Sequence, residues 1–193
     1  YMAFSHLLLT FAHDEPKIRT LIDERIQLFL TSEQGRSKSA CPSLGDLIAM
    51  MIVSNKHSWG DFIRVYLEEM FDRNAKWCLA ANPTLADVSI HGSSGVSRKR
   101  LDKTFKACQT SIRLVCFHKA FLSMIRSEKN DTADTVRRRL DSQMGRPTPA
   151  MERNLQKQCK RILNISTWDG MFKCLNLATP DDAYLSQWLR RAV

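Results

Sequence analysis

The stretch from Ser97 to Ser127 (SRKRLDKTFKACQTSIRLVCFHKAFLSMIRS) contains neither Gly nor Pro and changes character along its length. Its first part carries one apolar stripe and a dense basic face. From Ile112 to Ile125 apolar residues fall on nearly every side. With no breaker the stretch is free to stay helical, and a helix that is hydrophobic all round belongs inside a core. The expectation is therefore an all-α fold: a compact bundle of about eight helices around a long central helix over 97–127, its basic end projecting.

The rest of the chain agrees with that class. Only 7 Gly and 6 Pro occur in 193 residues, which argues against a many-turned β architecture. No period-two run of strand length and no solenoid repeat is present. An apolar run (Phe4, Leu7, Leu8, Leu9, Phe11) predicts a first helix over about 2–12. His13-Asp14-Glu15-Pro16 reads as a helix start with Asp14 as N-cap. The helix that follows carries Ile18, Leu21, Ile22, Ile26, Phe29 and Leu30 at spacings of three and four, and Glu33 to Pro42 reads as a loop. Leu44–Ser54 has so little polar surface that it is expected to be buried, and Trp59–Ala81 is a regular amphipathic helix. Further helices are expected at about 133–144, 150–165 and 168–177, and from Asp181 onward.

The length fits a single helical domain, 1–193. A sub-boundary is expected at the Gly/Ser-containing loop 82–96, and a linker at 145–149 (GRPTP). The chain opens inside an apolar run and still reads as helix at its end, so it is read as a fragment of a larger protein, with the rest of its own chain as one partner. No stretch has the length and apolarity of a membrane span, and no basic-flanked signal segment is present, so no membrane role is expected. The six cysteines are scattered singly, without CxxC or Cys/His clusters. Scattered thiols on apolar helical patterns imply a reducing, intracellular (cytoplasmic or nuclear) setting.

Charge is distributed unevenly. Residues 1–96 hold 9 Lys/Arg against 11 Asp/Glu, a balance of −2, while residues 97–193 hold 20 against 9, a balance of +11. The basic residues cluster as Arg98, Lys99, Arg100, Lys103 and Lys106; Arg137, Arg138 and Arg139; and Arg153, Lys157, Lys160 and Arg161. At spacings of three and four such groups share a helix face, which suits an acidic protein surface or a nucleic-acid backbone. Solvated helix faces would give the same pattern.

Signatures of chemistry are absent. Gly92-Ser93-Ser94-Gly95 lacks the spacing and preceding strand of a phosphate loop. Cys116 and His118, two apart on a helix, point in different directions and make no nucleophile–base pair. The five histidines show no HxxxH or HExxH spacing, so no metal or cofactor is implied. Phe105, Phe117, Phe121, Trp168 and Trp188 fall on apolar faces, where they would serve the core and not base stacking. The sequence thus leans away from an enzyme. It points to a non-catalytic interaction or scaffolding module whose basic half meets an acidic partner, with nucleic-acid binding through the same residues as the alternative.

Overall fold

The computed structural model describes residues 2–80, 98–126 and 131–191, without the side chains of 71, 74–80, 99, 100 and 188–191. The described residues form eleven α-helices and no strand. They are α1 (Met2–Asp14), α2 (Pro16–Thr31), α3 (Glu33–Arg36), α4 (Leu44–Val53), α5 (Trp59–Ala80), α6 (Arg98–Ala107), α7 (Gln109–Ile125), α8 (Ala133–Asp141), α9 (Pro149–Leu163), α10 (Trp168–Cys174) and α11 (Asp182–Arg191). The 82–96 loop lies outside the described residues.

Several helix starts follow from local side-chain chemistry. Before α5, Ser58 Oγ accepts from the Asp61 amide, and the Asp61 carboxylate accepts from the Ser58 amide and hydroxyl, a reciprocal cap. These bonds hold the Asp61 carboxyl below its usual range. Thr132 and Thr167 cap α8 and α10, and the Asp181 carboxylate caps α11 by accepting from the Tyr184 amide. Other starts differ from expectation. Asp14 belongs to the last turn of α1, and Glu15 takes the N-cap position of α2 with no side-chain cap, because Pro16 at N1 already presets the helical turn. The expected loop at Glu33 begins with one helical turn, α3, capped by Ser32.

The stretch 97–127 is not one helix. It forms α6 and α7, separated at Cys108, although Cys108 N still donates to Thr104 O and Ile112 N to Cys108 O. Nor is its apolar half covered on all sides: Leu114 is 41% exposed and Ser123 is exposed, while Ile112, Val115, Phe121 and Ile125 are buried.

The chain divides into two compact units, Tyr1–Tyr66 with His118–Gln158 and Leu67–Phe117 with Cys159–Val193. In the first, α4 is the buried element: Leu47, Ile48, Ala49, Ile52 and Val53 are at most 1% exposed. Helices α1 and α2 pack on it, and α1 also packs on α8. Phe29, Phe62 and Tyr66 continue this core, Phe62 and Tyr66 stacking at 4.8 Å between ring centroids. Each fully buried side chain of this size stabilises the fold by about 1.5–3 kcal/mol over leaving it in water. Gly145 (φ 68) closes α8 in the left-handed region and donates to Leu140 O at 2.8 Å. A side chain there would also strike His6, since an added Cβ would lie 2.7 Å from its Nδ1.

The second unit is organised by Trp168. Its indole is 1% exposed, donates from Nε1 to Leu101 O at 3.0 Å and meets Phe105 edge-on at 5.2 Å. Helix α6 packs on α11, where Leu185 is buried and Arg98 pairs with Asp182. The apolar faces of the helices expected at 150–165 and from Asp181 onward would turn Leu163 and Tyr184 inward, but both face solvent: Tyr184 is 51% and Leu163 58% exposed.

Helix ends leave carbonyls without intrahelical donors, and here four helices use an arginine to satisfy them. Arg36 Nη1 donates to Phe29 O and Leu30 O at the end of α2. Arg126 donates to Ile52 O at 2.8 Å and to Ser54 O beyond α4. Arg139 donates to Ile125 O at the end of α7, and Arg113 to Leu163 O at 2.7 Å at the end of α9. Arg126 is partly buried. Burial draws its guanidinium down from the ordinary value, and the charges of Asp131 and Asp23 act against that. Asp23, itself buried, accepts from the Ser54 hydroxyl at 2.6 Å.

Replacing Arg126 with Met strands the buried Ile52 and Ser54 carbonyls and removes a counter-charge from Asp23. The expected cost is about 2–4 kcal/mol in urea denaturation. Arg138→Met removes the same charge from an exposed position and is expected to stay within about 0.5 kcal/mol of the parent.

Candidate functional site

The basic residues divide by what they touch. Arg98 is committed to Asp182, with Asp102 3.9 Å away. Arg137 pairs with Asp141 one turn along α8, and Asp141 also accepts from His6 Nε2 at 2.7 Å. Arg139 serves Ile125 O and pairs with Asp131 at 3.1 Å. These three candidates are paired within the chain, Arg98 in an exposed pair and Arg137 and Arg139 in partly buried ones. Lys103 and Lys106 on α6 and Arg138 on α8 are exposed. The side chains of Lys99 and Arg100 lie outside the described residues.

Helix α9 differs from the others. Ile162 is its only fully buried residue, and Met151, Leu155, Gln158 and Cys159 are half-buried. Arg153, Lys157, Lys160 and Arg161 are all exposed, and none makes an ion pair with a carboxylate among the described residues. At 100° per residue they occupy an arc of roughly 100° opposite Leu155 and Ile162, and at 1.5 Å per residue they span about 12 Å. The stripe lies on one helix, so its spacing follows from helix geometry alone. Its only acidic neighbour on α9 is Glu152, at the N-terminal end.

The electrostatics favour an anion along this stripe. Four like charges within a Debye length of one another repel, and an anionic partner relieves that repulsion. Arg113 and Gln109 on α7 donate to the carbonyls of Leu163 and Ile165, which fixes the C-terminal end of the helix that carries the stripe. Nothing in the sequence spacing singles out Arg36, Arg113 or Arg126, since their partners are backbone carbonyls elsewhere in the chain. For Arg113 and Arg126 a lone arginine within or ending an apolar helical run is the one signal available, and Arg36 lacks even that.

His118, Cys116 and four aspartates, all groups able to do covalent or acid–base chemistry, are shielded or paired. His118 is 1% exposed, and its Nδ1 shares a 2.7 Å hydrogen bond with the buried Tyr66 hydroxyl. Burial pulls His118 down to about 4, so it is a neutral group in the core at neutral pH. Cys116 is fully buried. Asp134, Asp141, Asp169 and Asp182 all engage cations. The Arg19 hydrogen bond holds Asp134 below the usual carboxylate range, and the Lys173 bond does the same for Asp169. Among the described residues no group of three or more His, Cys, Asp or Glu is placed to hold a metal ion.

Scans against known protein families, curated proteins and solved structures find no match. The charge and geometry of the chain itself are the basis for a functional reading.

The Tyr66–His118 pair has a measurable consequence. The unfolded chain takes up a proton on this histidine near pH 6.5, whereas the folded chain resists until about pH 4. Stability present above pH 6.5 is therefore lost as the pH falls through that window, by up to about 3 kcal/mol. His118→Asn, which cannot titrate, is expected to show a shallower fall in urea midpoint between pH 6.5 and 4.5. Parallel slopes for the two proteins would contradict this.

Proposed function

We propose that this chain is a non-catalytic helical interaction or scaffolding module that contacts an acidic partner through its basic C-terminal half, with α9 as the principal contact. The observation that carries the reading is the exposed stripe Arg153, Lys157, Lys160 and Arg161, unpaired with any carboxylate among the described residues. Elsewhere in that half, cations such as Arg98, Arg137 and Arg139 are already matched by carboxylates or carbonyls. Proteins that only need solubility can intersperse both signs on a helix face, as α5 does with Glu69 and Arg73. On α9 the face is basic alone.

Two further observations support an acidic protein over nucleic acid as the partner. Helix α9 contains no aromatic residue, so bases find no stacking platform on the helix that carries the stripe. Exposed Leu163 borders the stripe and suits an apolar contact on a protein. A reducing compartment fits cysteines scattered singly along the chain, of which Cys41, Cys108 and Cys116 are buried.

Binding of a labelled polyglutamate peptide, followed by fluorescence anisotropy at low salt, tests the reading. Each exposed pair contributes about 0.2–1 kcal/mol, so replacing Arg153, Lys157, Lys160 and Arg161 together with Ala is expected to weaken binding roughly ten- to a hundredfold. The urea midpoint should hardly change. Binding should also fall as salt rises. Undetectable binding to polyglutamate, or binding indifferent to the four substitutions, would overturn it. Tighter binding to an oligonucleotide of equal charge would move the nucleic-acid alternative ahead.

A further inference from the structure

We propose that Arg25, with Leu21 and Leu28 beside it on α2, is a docking site for a protein segment that presents a carboxylate between apolar side chains. The site lies within the first unit and owes nothing to the stripe on α9. A guanidinium taken partly out of water needs acceptors for its N–H groups. Every other half-buried arginine among the described residues has one. Arg19, Arg73 and Arg137 bond carboxylates, and Arg36, Arg113, Arg126 and Arg139 bond backbone carbonyls. Half-buried Arg25 makes no hydrogen bond or ion pair among the described residues, and its Nη2 is shut off from solvent without an acceptor.

The local sequence explains why the fold offers it nothing. One turn away in either direction stand Leu21, Ile22, Leu28 and Phe29, all apolar. Ile22 and Phe29 turn into the core, while Leu21 and Leu28 are 62% and 44% exposed. Both leucines fall on the same side of Arg25, within about 60° around the helix. Glu24 points about 100° away, and buried Asp23 is engaged by the Ser54 hydroxyl. A cation is thus set at the edge of the core with an exposed apolar flank and no counter-charge.

A carboxylate between apolar groups is the complement of this arrangement. It accepts parallel N–H···O bonds from a guanidinium, and its apolar neighbours cover Leu21 and Leu28 and keep water from the pair. An ion pair shielded in this way is stronger than one on an open surface, and arginines ringed by water-excluding contacts anchor protein interfaces. A bare phosphate satisfies the cation but leaves both leucines in water.

Methyl and arginine side-chain NMR spectra of the whole chain, titrated with the capped tripeptide Leu-Glu-Leu, test the site. The Leu21 and Leu28 methyls and the Arg25 Nε–H signal are expected to shift together and to saturate. Leu-Gln-Leu and Gly-Glu-Gly should bind about tenfold more weakly, and Arg25→Gln should remove the shifts at both leucines. Arg25→Met is expected to leave the urea midpoint unchanged or raised, the opposite of Arg126→Met, because the fold loses no partner. No saturable shift, or equal affinity for the Gln peptide, would refute the proposal. Inorganic phosphate binding Arg25 as tightly as the tripeptide would refute it too, leaving a plain anion site. A lowered midpoint in Arg25→Met would make the residue part of the fold and count equally against it.

Discussion

Buried helix ends must find donors for their last carbonyls, and this requirement governs much of the fold. A helix covered on nearly every side, as α4 is, ends where water cannot reach its final C=O groups. Arg126 supplies the donors at Ile52 and Ser54, and its charge is offset by Asp23 and Asp131. Ser54 in turn donates to Asp23, and the Asn55 side chain accepts the first free amide of α8 at Ala133. One end of one helix thus ties α2, α4, α7 and α8 together within the first unit. The favourable charge of a guanidinium at a helix C-terminus adds to the hydrogen bonds.

The same requirement accounts for part of the basic excess. Arg113, Arg126 and Arg139 all lie in the half of the chain that carries the +11 balance, and each serves a carbonyl. Net charge alone therefore overstates how much of this protein is offered to a polyanion. What remains after the capping and paired residues are set aside includes four exposed cations on α9, with Lys103 and Lys106 on α6 and Arg138 on α8 exposed as well. Helix α9 is also the least covered of the longer ones, its contacts reduced to Ile162 and a half-buried edge.

What the sequence made legible was what depends on near neighbours. The caps at Ser58, Thr132, Thr167 and Asp181 join residues three apart, and the scarcity of polar side chains in Leu44–Ser54 marked Leu47, Ile48 and Ile52 for the core. The phase of the α9 stripe was readable for the same reason. Hidden from view were the break at Cys108, the outward turn of Leu163 and Tyr184, and the arginine caps. Arg126 and Ile52 are 74 residues apart, and Arg113 and Leu163 are 50 apart. Local spacing encodes neither pair, because the choice between surface charge and carbonyl cap is made by tertiary packing. Twelve basic candidates read alike in the sequence, and only their partners separate Arg137 and Arg139 from Arg153 and Lys157.

The division of the cations into structural and free sets is the central claim, and a lysine-modification footprint tests it most directly. The protein would be acetylated briefly with and without saturating polyglutamate peptide, and each site quantified by mass spectrometry. Lys157 and Lys160 should lose most of their reactivity, while Lys17, Lys38 and Lys56 in the N-terminal half keep theirs. Protection spread evenly over all lysines, or centred on Lys103 and Lys106 with Lys157 and Lys160 unchanged, would contradict the account.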